Sequence, residues 1–182
     1  MKRISLFDFS AAAVLLAVLW SVCVIAADDP KEAQALLAAL PKSKLTLLDG
    51  VRQATKGAAV PISAKFELED GKLSLSVYTA EKGLSVMPEK NVLQELSGSP
   101  EGDKWAPSVE VFKDVLHVAR SSEQLTLMAL GKASLADIIA RVEKSQSGGT
   151  VFSVTPVIRN HKPVAEVLVA DKGKIRKLIQ PL

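Results

Sequence analysis

The sequence predicts an α+β protein made of two similar units, each a helix packed on a short antiparallel sheet, joined by a helical connector. Three observations carry this expectation. A stretch near Thr46 recurs near Ser134, each copy passes from helical to alternating periodicity, and turn residues divide each alternating part into a hairpin.

In the repeat, Thr46-Leu47-Leu48-Asp49-Gly50-Val51 aligns with Ser134-Leu135-Ala136-Asp137-Ile138-Ile139, and Lys56 falls on Lys144. After a slip of two residues, Asp70-Gly71-Lys72 aligns with Asn160-His161-Lys162, Val77 with Val167, and Ala80-Glu81-Lys82-Gly83 with Ala170-Asp171-Lys172-Gly173. Such a slip belongs in a loop, where insertions are absorbed at little cost.

Each copy opens with a helix. Ser134 caps the second, whose Leu135, Ile138, Ile139 and Val142 recur at i, i+3, i+4 and i+7, and Gly148-Gly149 ends it. Thr46 caps the first, with Leu47, Val51 and Ala54 on its apolar face and Gly57 at its close. Gly50 stands where the second copy has Ile138, which weakens that face.

The strands follow. Ile62, Ala64, Phe66 and Leu68 share one face, Asp70-Gly71 makes a two-residue turn, and Leu73, Leu75 and Val77 return on that face. In the second copy Phe152, Val154 and Ile158 lead to a turn at Asn160-His161 and back through Ala165, Val167 and Val169. Pro156 has no N–H to donate, so its strand is expected at an edge or bulged there. A third strand is expected at Leu84–Met87 in the first unit and at Lys174–Ile179 in the second.

Between the units, Asn91–Leu96 reads as a short helical stretch, and the loop around Ser97-Gly98-Ser99-Pro100 follows it. From Pro107, the residues Val111, Val115, Val118, Ser122, Leu125 and Ala129 recur at spacings of four and three, which predicts one helix over 108–130 ending at Gly131. A competing reading makes Leu125–Met128 a strand. Near the start, Pro30, Ala33, Leu36, Leu37 and Leu40 mark a further short helix that Pro41 stops. The chain thus divides into a leading segment 1–27, an N-terminal helix within 28–44, a first unit 45–106, a connecting helix 107–131 and a second unit 132–182.

The leading segment concerns location. Lys2 and Arg3 precede an apolar run from Phe9 to Ala27, interrupted only by Ser10 and Ser21, with small residues at Val24-Ile25-Ala26. This is the pattern of an export signal, so a periplasmic or cell-envelope location is expected. The run is also long enough to serve as an uncleaved anchor, and in both versions the positive end stays cytoplasmic and the rest is carried across. Cys23, the sole cysteine, lies in this segment, which leaves residues 28–182 without disulfide or thiol chemistry. Val22 and Trp20 are poorly suited to a lipidation signal around Cys23.

Charge and motifs exclude several functions. The chain has 23 Lys plus Arg against 20 Asp plus Glu, and removing Lys2, Arg3 and Asp8 leaves an excess of only +2, too balanced for a nucleic-acid footprint. Its 48% apolar content excludes disorder throughout. His-Glu-x-x-His, paired cysteines, a phosphate-binding glycine loop and Gly-x-Ser-x-Gly are all missing from residues 28–182, so neither an enzyme nor a cofactor or metal is expected. Glu110, Asp114 and His117 would lie along one helix, but three such groups without a further ligand read as a solvated polar face. His161 reads as a turn residue.

Val169-Ala170-Asp171-Lys172-Gly173-Lys174-Ile175, with an Asp and a Gly at the turn before the last strand, resembles the PepSY domain family. The likeness extends over residues 45–87 and 133–182, and in the first unit Glu81-Lys82-Gly83-Leu84 keeps the glycine but replaces the Asp. The resemblance implies an exported binding protein, possessing no catalytic residues of its own, that modulates or inhibits a peptidase or binds another envelope protein. Membrane contact is expected only through the leading segment, if uncleaved. The alternative is a structural or ligand-carrying envelope protein with a cavity lined by Leu75, Val77, Val167 and Val169.

Partner contacts are sought first at the last strand. Lys172, Lys174 and Arg176 alternate onto one face there, a basic ribbon suited to an acidic partner or anionic lipid heads. Lysines on an edge strand equally discourage unwanted pairing. Trp105, between a glycine-bearing loop and Pro107, is either packed between the units or exposed as a contact residue.

The exported form is expected to begin near Ala27. Intact-mass measurement of protein recovered from the envelope checks this, and a mass retaining residues 1–26 would exclude cleavage.

Overall fold

The computed structural model describes residues 30–145 and 149–182; the leading segment 1–27 and the helix stop at Gly148 lie outside them. Helix α1 (Pro30–Ala39) continues through Pro41 as a 3-10 turn (Leu40–Lys42), and α2 (Leu47–Ala54) precedes the hairpin of β1 (Val60–Glu69) and β2 (Lys72–Ala80). Then come β3 (Leu93–Gly98), β4 (Ser108–Val111), α3 (Val115–Leu130), α4 (Leu135–Ser145), β5 (Thr150–Arg159), β6 (Lys162–Asp171) and β7 (Lys174–Pro181). The seven strands form one antiparallel sheet in the order β4-β3-β2-β1-β5-β6-β7, instead of a separate sheet for each unit. No described helix is long and apolar enough to cross a membrane.

The two halves of this sheet match in detail. Thr46 and Asp49 cap α2 reciprocally, with Asp49 N donating to Thr46 Oγ1 at 3.1 Å and Thr46 N to Asp49 Oδ2 at 3.0 Å. Ser134 and Asp137 do the same for α4 at 3.1 and 3.2 Å. Both hairpins turn on two consecutive residues with positive φ, Asp70-Gly71 and Asn160-His161. The ladders share register down to the irregularity: Val60 faces Ala80 as Thr150 faces Ala170, with a shift at Pro61/Ser63 and again at Val151/Ser153. Gly173 takes the positive φ of 75° that the last turn requires. Asp171, at the start of that turn, accepts from Arg176 Nη1 at 3.2 Å.

The halves meet at a small junction. β1 and β5 pair only at Ala64↔Val154 and Lys65↔Ser153, so Ala64 lies opposite the residue in its own structural position in the other half. Extending that register would place Ile62 against Pro156 and Pro61 against Val157, and neither proline has an N–H to give. Hence the strands part there. Pro156 accordingly sits in an internal strand beyond the end of the shared ladder, while the bulge of β5 lies earlier, between Val151 and Ser153.

One face of the sheet is apolar along its whole middle. Phe66, Leu75, Val77, Val154, Val167 and Val169 are buried there beneath α2 and α4, which pack side by side. Leu135, Ile138, Ile139 and Val142, the predicted stripe of α4, are each 1% exposed or less. The four residues proposed to line a ligand cavity, Leu75, Val77, Val167 and Val169, are thus packed solid core. Helix α3 crosses the opposite, polar face, where Ser63 Oγ donates to Gln124 Oε1 at 2.8 Å in a buried contact.

Three expected elements are corrected. The connector is not one helix over 108–130: Ser108–Val111 pairs with β3, and α3 begins at Val115 with Asp114 as N-cap, its carboxylate accepting from His117 N at 3.1 Å. Valines alternating with Ser108 and Glu110 suit an edge strand as well as they suit a helix ridge. Helix α3 does include Leu125–Met128, but it buries Ser121, Gln124, Leu125 and Met128, leaving Val115 81% exposed, because the surface beneath it is polar. In the first unit the third strand is β3, neither the helix expected at Asn91–Leu96 nor a strand at Leu84–Met87. Asn91 is the cause: its amide donates to Gly83 O at 2.8 Å and Val86 O at 3.1 Å, and its Oδ1 accepts from Lys82 N at 3.0 Å. Those bonds fold 82–91 into a compact loop, so the strand starts after it.

Gly50 has a packing reason. A Cβ at this position would sit 2.5 Å from Leu75 Cδ2, and Leu75 is fully buried. Helix propensity alone favours Gly50→Ala by about 1 kcal/mol, whereas overpacking of this kind costs roughly 1–3 kcal/mol. Gly50→Ala is therefore expected to destabilise in urea melts, and an increase in stability would show that α2 and β2 do not approach so closely.

Candidate partner-binding surface

Among the described residues the sheet ends in two uncovered edges, β4 and β7. On β7, Lys174 and Arg176 point to one side of the sheet and Ile175, Lys177 and Ile179 to the other, while Lys172 lies in the preceding turn with φ 50°. All three predicted contact residues, Lys172, Lys174 and Arg176, are exposed. They differ in what holds them. Arg176 is paired with Asp171, whereas Lys172 and Lys174 make no ion pair among the described residues. Lys177, which the sequence reading passed over, donates to Glu166 at 2.9 Å, and Arg159 reaches the other oxygen of that carboxylate at 2.7 Å. Burial would raise the Glu166 pKa, but the hydrogen bonds from Lys177 and Arg159 outweigh it and hold the carboxyl below its ordinary range.

Trp105 is buried rather than exposed, but it packs at the end of β3 beside Gly98. It is 7% exposed, and its indole Nε1 donates to Gly98 O at 3.3 Å, so it contributes to the core and offers almost no contact surface.

A second feature lies where β1 and β5 part. A groove of about 310 Å³ opens between the polar face of the sheet and α3. Lys65, Ser153, Thr155 and Pro156 line it from the strands, and His117 and Arg120 from the helix. Two of its lining residues, His117 and Tyr78, also contact Phe112, whose ring stacks 5.0 Å from that of His117 and lies tilted 5.6 Å from that of Tyr78.

Beside the groove runs a charged network on the outer face of β1. Lys65 is buried, bonds to the Glu67 carboxylate and lies 5.7 Å from the centre of the Tyr78 ring. Carboxylate oxygens of Glu67, Glu69 and Glu95 converge within 4.8 Å of one another. The Lys65 ammonium already supplies a positive charge there, so the cluster is internally compensated in part. Glu95 is pushed above its ordinary pKa chiefly by burial and further by Glu67, against opposing pulls from Ser76, Lys65 and Tyr78.

The alternative metal set does not assemble. Glu110 is on β4, and Asp114 is spent on capping α3 and on His117 Nδ1 at 2.7 Å. His161 occupies its hairpin turn with φ 61°. The Lys65 network is not apparent from the apolar period-two pattern of Ile62, Ala64 and Phe66. The same alternation puts Ser63, Lys65, Glu67 and Glu69 on the other face, and a lysine among three polar neighbours on a central strand was the available signal.

The raised Glu95 pKa has a pH consequence. In the folded chain the charged form is penalised, so this group lowers stability as pH rises above its ordinary value of 4.5 and through its raised folded value. Glu95→Gln is expected to raise the urea midpoint at pH 7–8, with the gain shrinking below pH 4.5, where the carboxyl is protonated in both states. A difference that stays constant from pH 4 to 8 would contradict the burial of this charge.

No protein-family model, no curated protein and no solved structure matches the chain.

Proposed function

We propose that this chain is an exported, non-enzymatic binding protein made of two PepSY-like units, which modulates or inhibits an envelope peptidase by occupying its surface. The observation that carries the proposal is the contrast between the inside and the rim of the sheet. Its interior is closed, with Leu75, Val77 and Val167 fully buried and Val169 1% exposed, while both outer strands are left unpaired among the described residues. A protein that works through a partner needs such a rim, and main-chain groups on an open strand offer affinity without a cavity.

The repeated cap, hairpin turn and ladder register support the two-unit part of this reading. The turn at Asp171–Gly173 supports the PepSY resemblance.

A second reading, a carrier of a small molecule, draws on the groove beneath α3. Its lining sets Lys65, Arg120 and Glu166 beside apolar surface from Tyr78, Val157 and Leu168, so the cargo would be a small molecule with both a polar and an apolar part.

The test is affinity capture of the exported chain from its native envelope, identification of the retained proteins by mass spectrometry, and assay of any captured peptidase. Capture of a peptidase whose hydrolysis slows when the purified chain is added is the expected result. A partner set without a peptidase, or a peptidase indifferent to the chain, would refute the modulator role.

A further inference from the structure

The third strands of the two halves occupy matching positions but have different neighbours. β3 follows β2 with Thr79 opposite Gln94, Tyr78 opposite Glu95, Val77 opposite Leu96 and Ser76 opposite Ser97. In the second half the equivalent partners of β6 are Arg176, Lys177, Leu178 and Ile179 of β7. β3 is covered on its outer side by β4, in the register Gln94↔Val111, Glu95↔Glu110, Leu96↔Val109 and Ser97↔Ser108. Among the described residues β7 has no such cover. The fold therefore contains, within itself, an example of what this strand position accepts: a short extended segment running antiparallel.

Charge decides what kind of segment β7 would take. Where β3 presents Gln94 and Glu95, β7 presents Arg176 and Lys177, and Lys174 lies further along the same edge, without an ion pair among the described residues. The pairs of Arg176 with Asp171 and Lys177 with Glu166 leave these side chains 48% and 52% exposed, so each can still receive a second acceptor. Leu178 is half-buried and Ile179 is 48% exposed, which gives the other end of the edge an apolar character.

We propose that β7 is the docking edge for an extended segment of a partner protein, added antiparallel in the register that β4 adopts on β3, with two apolar residues followed by acidic ones. The first two residues would face Ile179 and Leu178, and the acidic ones Lys177, Arg176 and Lys174. This proposal rests on the binding-protein reading and specifies its contact.

The test uses a fluorescein-labelled hexapeptide of sequence Ile-Val-Glu-Glu-Thr-Glu, its reversed sequence, and the purified exported chain, with binding followed by anisotropy. Saturable binding is expected, at least ~10-fold weaker for the reversed peptide and for Lys177→Glu. Lys177→Glu also loses the Glu166 contact. Lys174→Glu, which has no ion pair to lose, supplies the second variant and is likewise expected to weaken binding. Hydrogen exchange is expected to show slowed amides in β7 when the peptide is bound.

Equal affinity for the two peptide orders would reduce the effect to unspecific charge attraction and overturn the proposal. So would absence of binding, the result expected if these lysines only guard the edge, or sedimentation showing that two copies pair through β7. If the peptide fails while the captured peptidase is still inhibited, only the edge assignment falls. If the peptide binds and no peptidase responds, the edge stands and the modulator role falls.

Discussion

Everything in this structure depends on one shared apolar face, which neither half can cover alone. A helix of eight residues over a hairpin, as in α2 with β1 and β2, buries too little to stand by itself. Joined at Ala64–Val154 and Lys65–Ser153, the two hairpins make a surface wide enough for α2 and α4 to lie together, and the packing of those helices closes the core. The main-chain link between the halves is only two residue pairs long, so apolar packing across it carries most of the joint. The same junction explains the polar side of the molecule. Pro61 and Pro156 stop the ladder, the strands part, and α3 anchored by Gln124 spans the opening.

Much of this was readable from residues with strong local rules. Thr46 and Ser134 announce helix starts, the Leu135-Ile138-Ile139-Val142 stripe has a single helical period, and Asp70-Gly71 is a hairpin turn in almost any setting. Failures came where local pattern was indifferent and a distant contact decided. Valines at 109, 111, 115 and 118 satisfy a helical spacing, yet Val109 and Val111 pair with β3 while Val115 faces solvent. Asn91 shapes the loop that delays β3 through bonds to three residues, which no periodicity reveals. Gly50 is a defect by helix propensity alone, and only the close approach of Leu75 accounts for it. The joining of the two units into one sheet was equally hidden, because a two-residue ladder leaves no signature in sequence.

The candidate site was legible in part. Lysine and arginine on the last strand marked an edge, and the structure adds that Lys177, from the other side of the sheet, is tied into Glu166 and Arg159. Trp105 drew notice as a large aromatic near a loop, but its indole has a backbone partner and its ring is enclosed. The asymmetry between the halves carries the functional reading. One third strand is acidic and covered, the other basic and open, although both hold the same place beside their hairpins. A doubled architecture with one copy of the edge left uncovered is a simple way to build a binding surface on an otherwise closed core.

Native-state hydrogen exchange measured along the whole chain tests the central claim most directly. If the halves share one core, the slowest amides of β1 and β2 and those of β5 and β6 will open with the same free energy, equal to that of global unfolding. Distinct opening energies for the two hairpins, with one half exchanging while the other stays protected, would show two independent cores and contradict the account.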